Sequence, residues 1–153
     1  VAGAARAIMR PTEGGDARGT VSFEPMRNGG LMVKATMTGL TPGPHGFHVH
    51  EYGDCSAPDA SSAGGHFDFL GTPTTLPADV DHITGNLGQL EAGPDGTAKI
   101  EHPVQDANLW GPASIVGRAV VVHARGNDPD SPPDGAAGPR VACGVIGIVR
   151  PDM

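Results

Sequence analysis

Apolar and polar residues alternate in several short runs along this chain. In Leu31-Met32-Val33-Lys34-Ala35-Thr36-Met37 the odd-numbered positions are apolar, while Lys34 and Thr36 fall on the other side. That is the two-residue period of a strand with one buried face. Thr20-Val21-Ser22-Phe23 and Ala119-Val120-Val121-Val122 are further runs of strand length. The patterning predicts eight strands, over residues 2–10, 18–26, 31–38, 45–51, 86–92, 96–103, 118–123 and 142–149. Turn-forming groups separate them, such as Asn28-Gly29-Gly30, Thr41-Pro42-Gly43-Pro44 and Pro94-Asp95-Gly96. In these, glycine admits left-handed backbone and proline pre-sets the turn. No stretch has a convincing amphipathic-helix period, so the expected fold is all-β, an antiparallel sandwich or barrel in a single domain over 1–153. Two polar stretches rich in Gly, Pro and Asp, 52–85 and 124–140, break the strand spacing. Loops of that length are usually functional or disordered, so the chemistry is sought beside them.

Composition narrows the function classes. The 24 glycines and 15 prolines among 153 residues are scattered between patterned runs and read as turns, not as low complexity. Ten basic against 17 acidic side chains give a net charge of −7, with no basic block. That is a poor match for nucleic acid or an anionic membrane. No run approaches 18 apolar residues, so no membrane-spanning helix is expected. The opening Val1-Ala2-Gly3-Ala4-Ala5-Arg6 lacks the order of a signal peptide, which fits either a processed chain or a domain of a longer one. Cys55 and Cys143 stand 88 residues apart. By themselves they are either buried thiols or a disulfide. A bridge closing so long a loop stabilises by about 4–5 kcal/mol in the chain-entropy model, and it points to an oxidising compartment.

Histidine carries the chemistry. In His45-Gly46-Phe47-His48-Val49-His50 the alternation of a strand puts His48 and His50 on one face, roughly 6–7 Å apart, with Phe47 and Val49 on the other. Two imidazoles so placed can chelate one metal; two strand histidines without a metal are the plain alternative. His66 lies in Gly64-Gly65-His66-Phe67 and His123 ends an apolar run. Each alone is unremarkable. An imidazole set without thiolate suits copper or zinc.

Longer motifs then match a known family. Gly46-Phe47-His48-Val49-His50-Glu51-Tyr52-Gly53-Asp54 resembles the first signature of the Cu/Zn superoxide dismutases. Gly135-Ala136-Ala137-Gly138-Pro139-Arg140-Val141-Ala142-Cys143-Gly144-Val145-Ile146 resembles the second, departing at Ala136. Gly65-His66-Phe67, Val121-Val122-His123, Gly39-Leu40-Thr41 and Ile146-Gly147-Ile148 follow the family's order, so the resemblance covers nearly the whole chain. It implies an eight-stranded Greek-key barrel with two long functional loops, and superoxide disproportionation to oxygen and hydrogen peroxide. It implies copper on His48, His50, His66 and His123, with His66 also the catalytic bridging ligand. It further implies Cys55–Cys143 as a disulfide and Arg140 as the catalytic guanidinium that guides superoxide. His45 matches a supporting residue that bonds backbone, and His102 has no family role and is expected to be a solvated strand residue.

The zinc half departs from that resemblance. Two zinc-histidine positions read Thr74 and Ile83, the zinc aspartate reads Asn86, and the aspartate linking the two metal sites reads Asn127. Zinc wants four His, Cys or carboxylate ligands, so a copper-only enzyme is expected. Were zinc held, His66, His82, Asp79 and Asp81 would have to improvise its site. The second loop is short, and beside Arg125 it carries Asp128, Asp130 and Asp134, so weaker steering of an anion is expected. A copper-buffering domain of the same fold is the rival reading, and the missing C-x-x-C argues against a copper-delivery module. Tyr52, Gly53, Val116, Gly117 and Ile148 match the family's dimer face. The disulfide and the fold together suggest an extracellular or periplasmic setting rather than the cytoplasm.

Overall fold

A computed structural model describes residues 4–27, 29–67, 69, 85–111, 113–127 and 138–149. Among them are eight strands: β1 (Ala5–Pro11), β2 (Arg18–Pro25), β3 (Leu31–Thr38), β4 (Gly43–His50), β5 (Asn86–Ala92), β6 (Ala98–Val104), β7 (Ala119–His123) and β8 (Arg140–Ile148). A single turn of 3₁₀ helix covers Ser61–Ala63. Every predicted strand is present, with ends displaced by three residues at most. Both displacements that touch the site are extensions: β4 starts at Gly43, and β8 starts at Arg140, so Arg140 itself pairs with His123.

All pairings are antiparallel, in the order β5-β4-β7-β8-β1-β2-β3-β6. The two end strands, β5 and β6, lie against each other, so the sheet curls into a nearly closed barrel. Connections β3→β4 and β6→β7 join strands that are not neighbours, which makes the topology a Greek key. Closure removes most of the exposed edge that an open sheet would leave for aggregation.

Alternation decides what fills the barrel. Ala5, Ala7 and Met9 of β1, Val21 and Phe23 of β2, and Leu31, Val33, Ala35 and Met37 of β3 all point inward and are buried. Their intervening neighbours on β1 and β3 are exposed or partly so. Strands β4 and β7 depart from this rule, because both their faces are covered. Phe47, Val49, Val120 and Val122 enter the barrel core. On the outer side, Ala119 and Val121 join Ala60, Ala63 and Cys143 in a second, smaller cluster beneath the 52–66 segment. His48 and His50 share that covered outer face of β4 and are almost fully buried. The site therefore lies between the barrel wall and the loops laid over it.

Bulges interrupt the ladders next to two of the histidines, between Phe47 and His48 on β4 and between Val122 and His123 on β7. A bulge adds local twist and re-aims the side chains that follow it, here toward the space beneath the loops. His102 departs from its expected place in solvent. It is half-buried, and its ring lies where a Cβ on Gly88 would be, 2.3 Å from that position. The reason is barrel closure: β6 faces β5, and a glycine on β5 lets the imidazole fill the seam between them.

Candidate metal centre

His48 and His50 come from β4 and His123 from the end of β7. His66 is brought in by an antiparallel bridge to His50. The four rings offer ligand atoms that all lie within 4.8 Å of one another, and all four residues are buried. The rings of His48 and His66 stack with centroids 4.1 Å apart.

Hydrogen bonds to groups that can only accept assign the ring protons. His50 Nδ1 donates to the Gly64 carbonyl at 2.9 Å, and His123 Nδ1 donates to the Gly138 carbonyl at 3.0 Å. Each neutral ring then keeps its lone pair on Nε2, and these two Nε2 atoms face each other at 3.3 Å. Two lone pairs turned together invite a cation between them. His48 completes the pattern by the opposite nitrogen. Asn127 Nδ2 donates to the Gly88 carbonyl at 3.0 Å and to Asn86 Oδ1 at 3.1 Å. Its Oδ1 is thereby turned to accept from His48 Nε2 at 2.7 Å. His48 Nδ1 is left bare, buried and without a hydrogen-bond partner. A buried polar atom with no partner is costly, and a metal bond removes the cost. The residues present therefore fit a nitrogen-coordinated metal such as copper.

Electrostatics favour the same state. Burial, then the neighbouring His66, depress His50 to about 2. Burial, followed by His66 and His123, pushes His48 well below the ordinary imidazole range. Neutral imidazole is the form that binds metal.

Asn127 reaches His48 because Gly46 has no side chain: a Cβ there would lie 2.1 Å from Asn127 Oδ1. The backbone N–H of Asn127 is tied to Gln89 Oε1 at 2.8 Å, and Asn86 Oδ1 also accepts from Gly88 N–H at 2.9 Å. Asn86, at the position of the zinc aspartate, and Asn127, at that of the aspartate linking the two metal sites, thus form one amide network supporting His48. Sequence reasoning flagged both positions but had no signal for their contact. His45 behaves as expected: its two nitrogens face the carbonyls of His123 at 2.8 Å and Thr41 at 2.7 Å, leaving none for a metal.

Arg140 is half-buried, and its guanidinium donates to the carbonyls of Ala60 at 2.7 Å and Gly64 at 2.6 Å. Gly64 O thus serves both Arg140 and His50, placing the cation one carbonyl away from the cluster. Burial lowers the Arg140 pKa while Asp59 opposes, and the group remains a cation at any ordinary pH. The segment that presents these carbonyls is stapled by the Cys55–Cys143 disulfide, with Cα atoms 5.8 Å apart. Asp54 and Asp59 each accept a backbone N–H two residues on and shape its turns. Thr74, Asp79, Asp81, His82, Ile83, Asp128, Asp130, Asp134 and Ala136 lie outside the described residues.

The barrel, the stapled loop and the buried imidazole cluster define a Greek-key β-barrel protein with a candidate metal centre. Residues 17–146 match the family model of copper/zinc superoxide dismutase (SODC). The chain is 42% identical over 151 residues to a Brassica juncea protein named superoxide dismutase [Cu-Zn] 2, covering 93% of this chain and 95% of that one. It is 40% identical over 146 residues to a Brugia pahangi protein named extracellular superoxide dismutase [Cu-Zn], covering 90% of this chain and 72% of that one. The chain belongs to the copper/zinc superoxide dismutase family.

Two outcomes follow from this geometry. His48 and His50 bind protons near pH 6.5 when unfolded but only far lower when folded. Stability of the metal-free protein is therefore complete above about pH 6.5 and falls as pH drops below it, by about 1.4 kcal/mol per unit for each histidine. Urea midpoints measured on metal-free protein from pH 8 to 5 should decline through that window; a flat series would contradict the buried neutral assignment. Replacing Asn127 by Ala removes the acceptor that holds His48, and copper affinity in chelator competition should fall by about 10–100-fold. Wild-type affinity in N127A would remove Asn127 from the site.

Proposed function

We propose that this chain is a superoxide dismutase that works with one copper on His48, His50, His66 and His123 and without structural zinc. The observation that carries the reading is the convergence of unprotonated ring nitrogens, including the orphaned His48 Nδ1, beside an arginine anchored to the same Gly64 carbonyl as His50. Copper bound there supplies one-electron redox chemistry, by which two superoxide ions and two protons become oxygen and hydrogen peroxide.

The protein's own part is electrostatic and geometric. Arg140 uses two N–H groups on Ala60 and Gly64, and the rest of its planar fork is available to hold a small anion. On a chain of net charge −7, that fixed cation attracts superoxide to one place and orients it. Both protons consumed come from water, one of them relayed through His66. Burial and the neighbouring rings keep His48 and His50 unprotonated, with their lone pairs free for the metal.

Absence of zinc is supported by Asn86. A neutral amide is a weak zinc ligand, and Asn86 Oδ1 is already engaged by two N–H donors. The improvised set of His66, His82, Asp79 and Asp81 is the competing outcome. Elemental analysis after reconstitution with both metals should find one copper and no zinc per chain; one of each would return the zinc site. In pulse radiolysis, Arg140→Ala should lower the rate by about tenfold or more. An unchanged rate would favour the rival reading, a copper-buffering domain that has no use for an anion-holding arginine.

The same fold carries a face for self-association. Tyr52 and Ile148 are each 57% exposed. Gly53 packs so closely on Gly117 that a Cβ would lie 1.9 Å from its carbonyl oxygen, and Val116 is partly buried beside them. An apolar patch of this kind marks an interaction site more often than a bare surface, and the proposed partner is a second copy of the chain. Sedimentation of the copper protein should give twice the chain mass, and Tyr52→Glu should halve it; a wild-type monomer would end the proposal. The disulfide supports placement in an oxidising compartment, extracellular or periplasmic. Among the described residues no helix is long and apolar enough to cross a membrane.

A further inference from the structure

His50 and His66 sit on a short two-stranded ribbon outside the barrel. Their bridge is flanked by hydrogen bonds from Glu51 N–H to the Gly65 carbonyl at 2.9 Å, Tyr52 N–H to the Ala63 carbonyl at 2.9 Å and Phe67 N–H to the Val49 carbonyl at 2.8 Å. One strand of this ribbon continues β4; the other is loop. A ribbon of that length is marginal by itself, so something must set how its strands lie.

Arg118 meets both strands. Its Nη1 donates to the carbonyl of Glu51, the residue after His50, at 3.0 Å. Its Cζ lies 3.6 Å from the ring centroid of Phe67, the residue after His66. Its Nε donates to the Ser114 carbonyl at 2.9 Å, which ties the guanidinium to the loop before β7. The Arg118 backbone is held as well: its N–H donates to Ile115 O at 3.1 Å and its carbonyl accepts from Ile146 N–H of β8 at 2.8 Å. Both Phe67, buried, and Arg118, half-buried, are shielded enough from water for the cation–ring contact to count. One rigid plane thus joins the barrel to the chain immediately after each of two histidines.

We infer that Arg118 is a positioning residue for the copper site, setting His66 against His50 through Phe67 and the Glu51 carbonyl while bonding to neither imidazole. Its role differs from that of Arg140: Arg140 faces the cluster and binds the anion, whereas Arg118 holds the ribbon. A lysine cannot replace it, since a single ammonium cannot lie flat on a ring and fork to two carbonyls at once.

This inference rests on the copper reading of the four histidines, and the test separates the two. Wild-type protein is loaded with Cu(II) first; failure to hold copper there defeats the copper reading before any variant is compared. Arg118→Lys and Phe67→Leu are then measured for the Cu(II) paramagnetic resonance spectrum and for the rate of copper loss to a chelator. Phe23→Leu, in the distant core, controls for lost stability alone. Both site variants should lose copper about tenfold faster and show an altered spectrum, and their double variant should show less than the product of the two effects, because they share one contact. The control should keep the wild-type spectrum. Wild-type spectra and loss rates in the site variants would overturn the inference. If Arg118→Lys does not fold, Phe67→Leu alone decides by the same readings.

Discussion

Four imidazoles buried together, with ligand atoms within 4.8 Å of one another, are the constraint on which the rest of this structure depends. Desolvation and the neighbouring rings hold His48 and His50 neutral, and a neutral ring must place its one proton somewhere. For three of the four rings the place is clear: a carbonyl of Gly64, a carbonyl of Gly138 and an amide oxygen of Asn127. Each acceptor comes from an irregular segment, not from the barrel. The loops are therefore as much a part of the centre as the strands that bear the histidines.

Holding loops to this accuracy is expensive in backbone entropy, and several devices share the task. The Cys55–Cys143 bridge staples the first loop to β8. Arg140 binds two carbonyls of that loop from β8, and Arg118 reaches its far strand through Glu51 and Phe67. Gly46 has no side chain, which lets Asn127 approach β4. The barrel serves as a rigid wall, and its tight interior, from Phe23 to Val122, resists the strain that a crowded polar site would otherwise relieve by moving.

Two amides stand where the family resemblance expects carboxylates. Asn127 does with one oxygen and one NH₂ what a carboxylate cannot: it accepts from His48 while donating to Gly88 and Asn86. An aspartate there would set its own oxygen against the Gly88 carbonyl. The network thus supports His48, and neither of its two amides brings a negative charge to the cluster. The Arg140 guanidinium lies one carbonyl away from His50, and its charge helps to keep that ring neutral.

Strand identity was legible in the sequence because period-two burial is a local property. Leu31 to Met37 could only sit with one face inward, and His48 and His50 had to share a face once β4 was a strand. The signatures carried His66, His123, Arg140 and the cysteine pair by resemblance, since nothing in their spacing would have joined them. What the tertiary structure alone decided was how the loops meet: Gly64 O between His50 and Arg140, Asn127 against Asn86, Arg118 on Phe67, and His102 drawn into the seam over Gly88. Such contacts join residues far apart in the chain through segments without a repeat, so no local pattern encodes them. They exist only once the barrel has closed and fixed where each loop begins and ends.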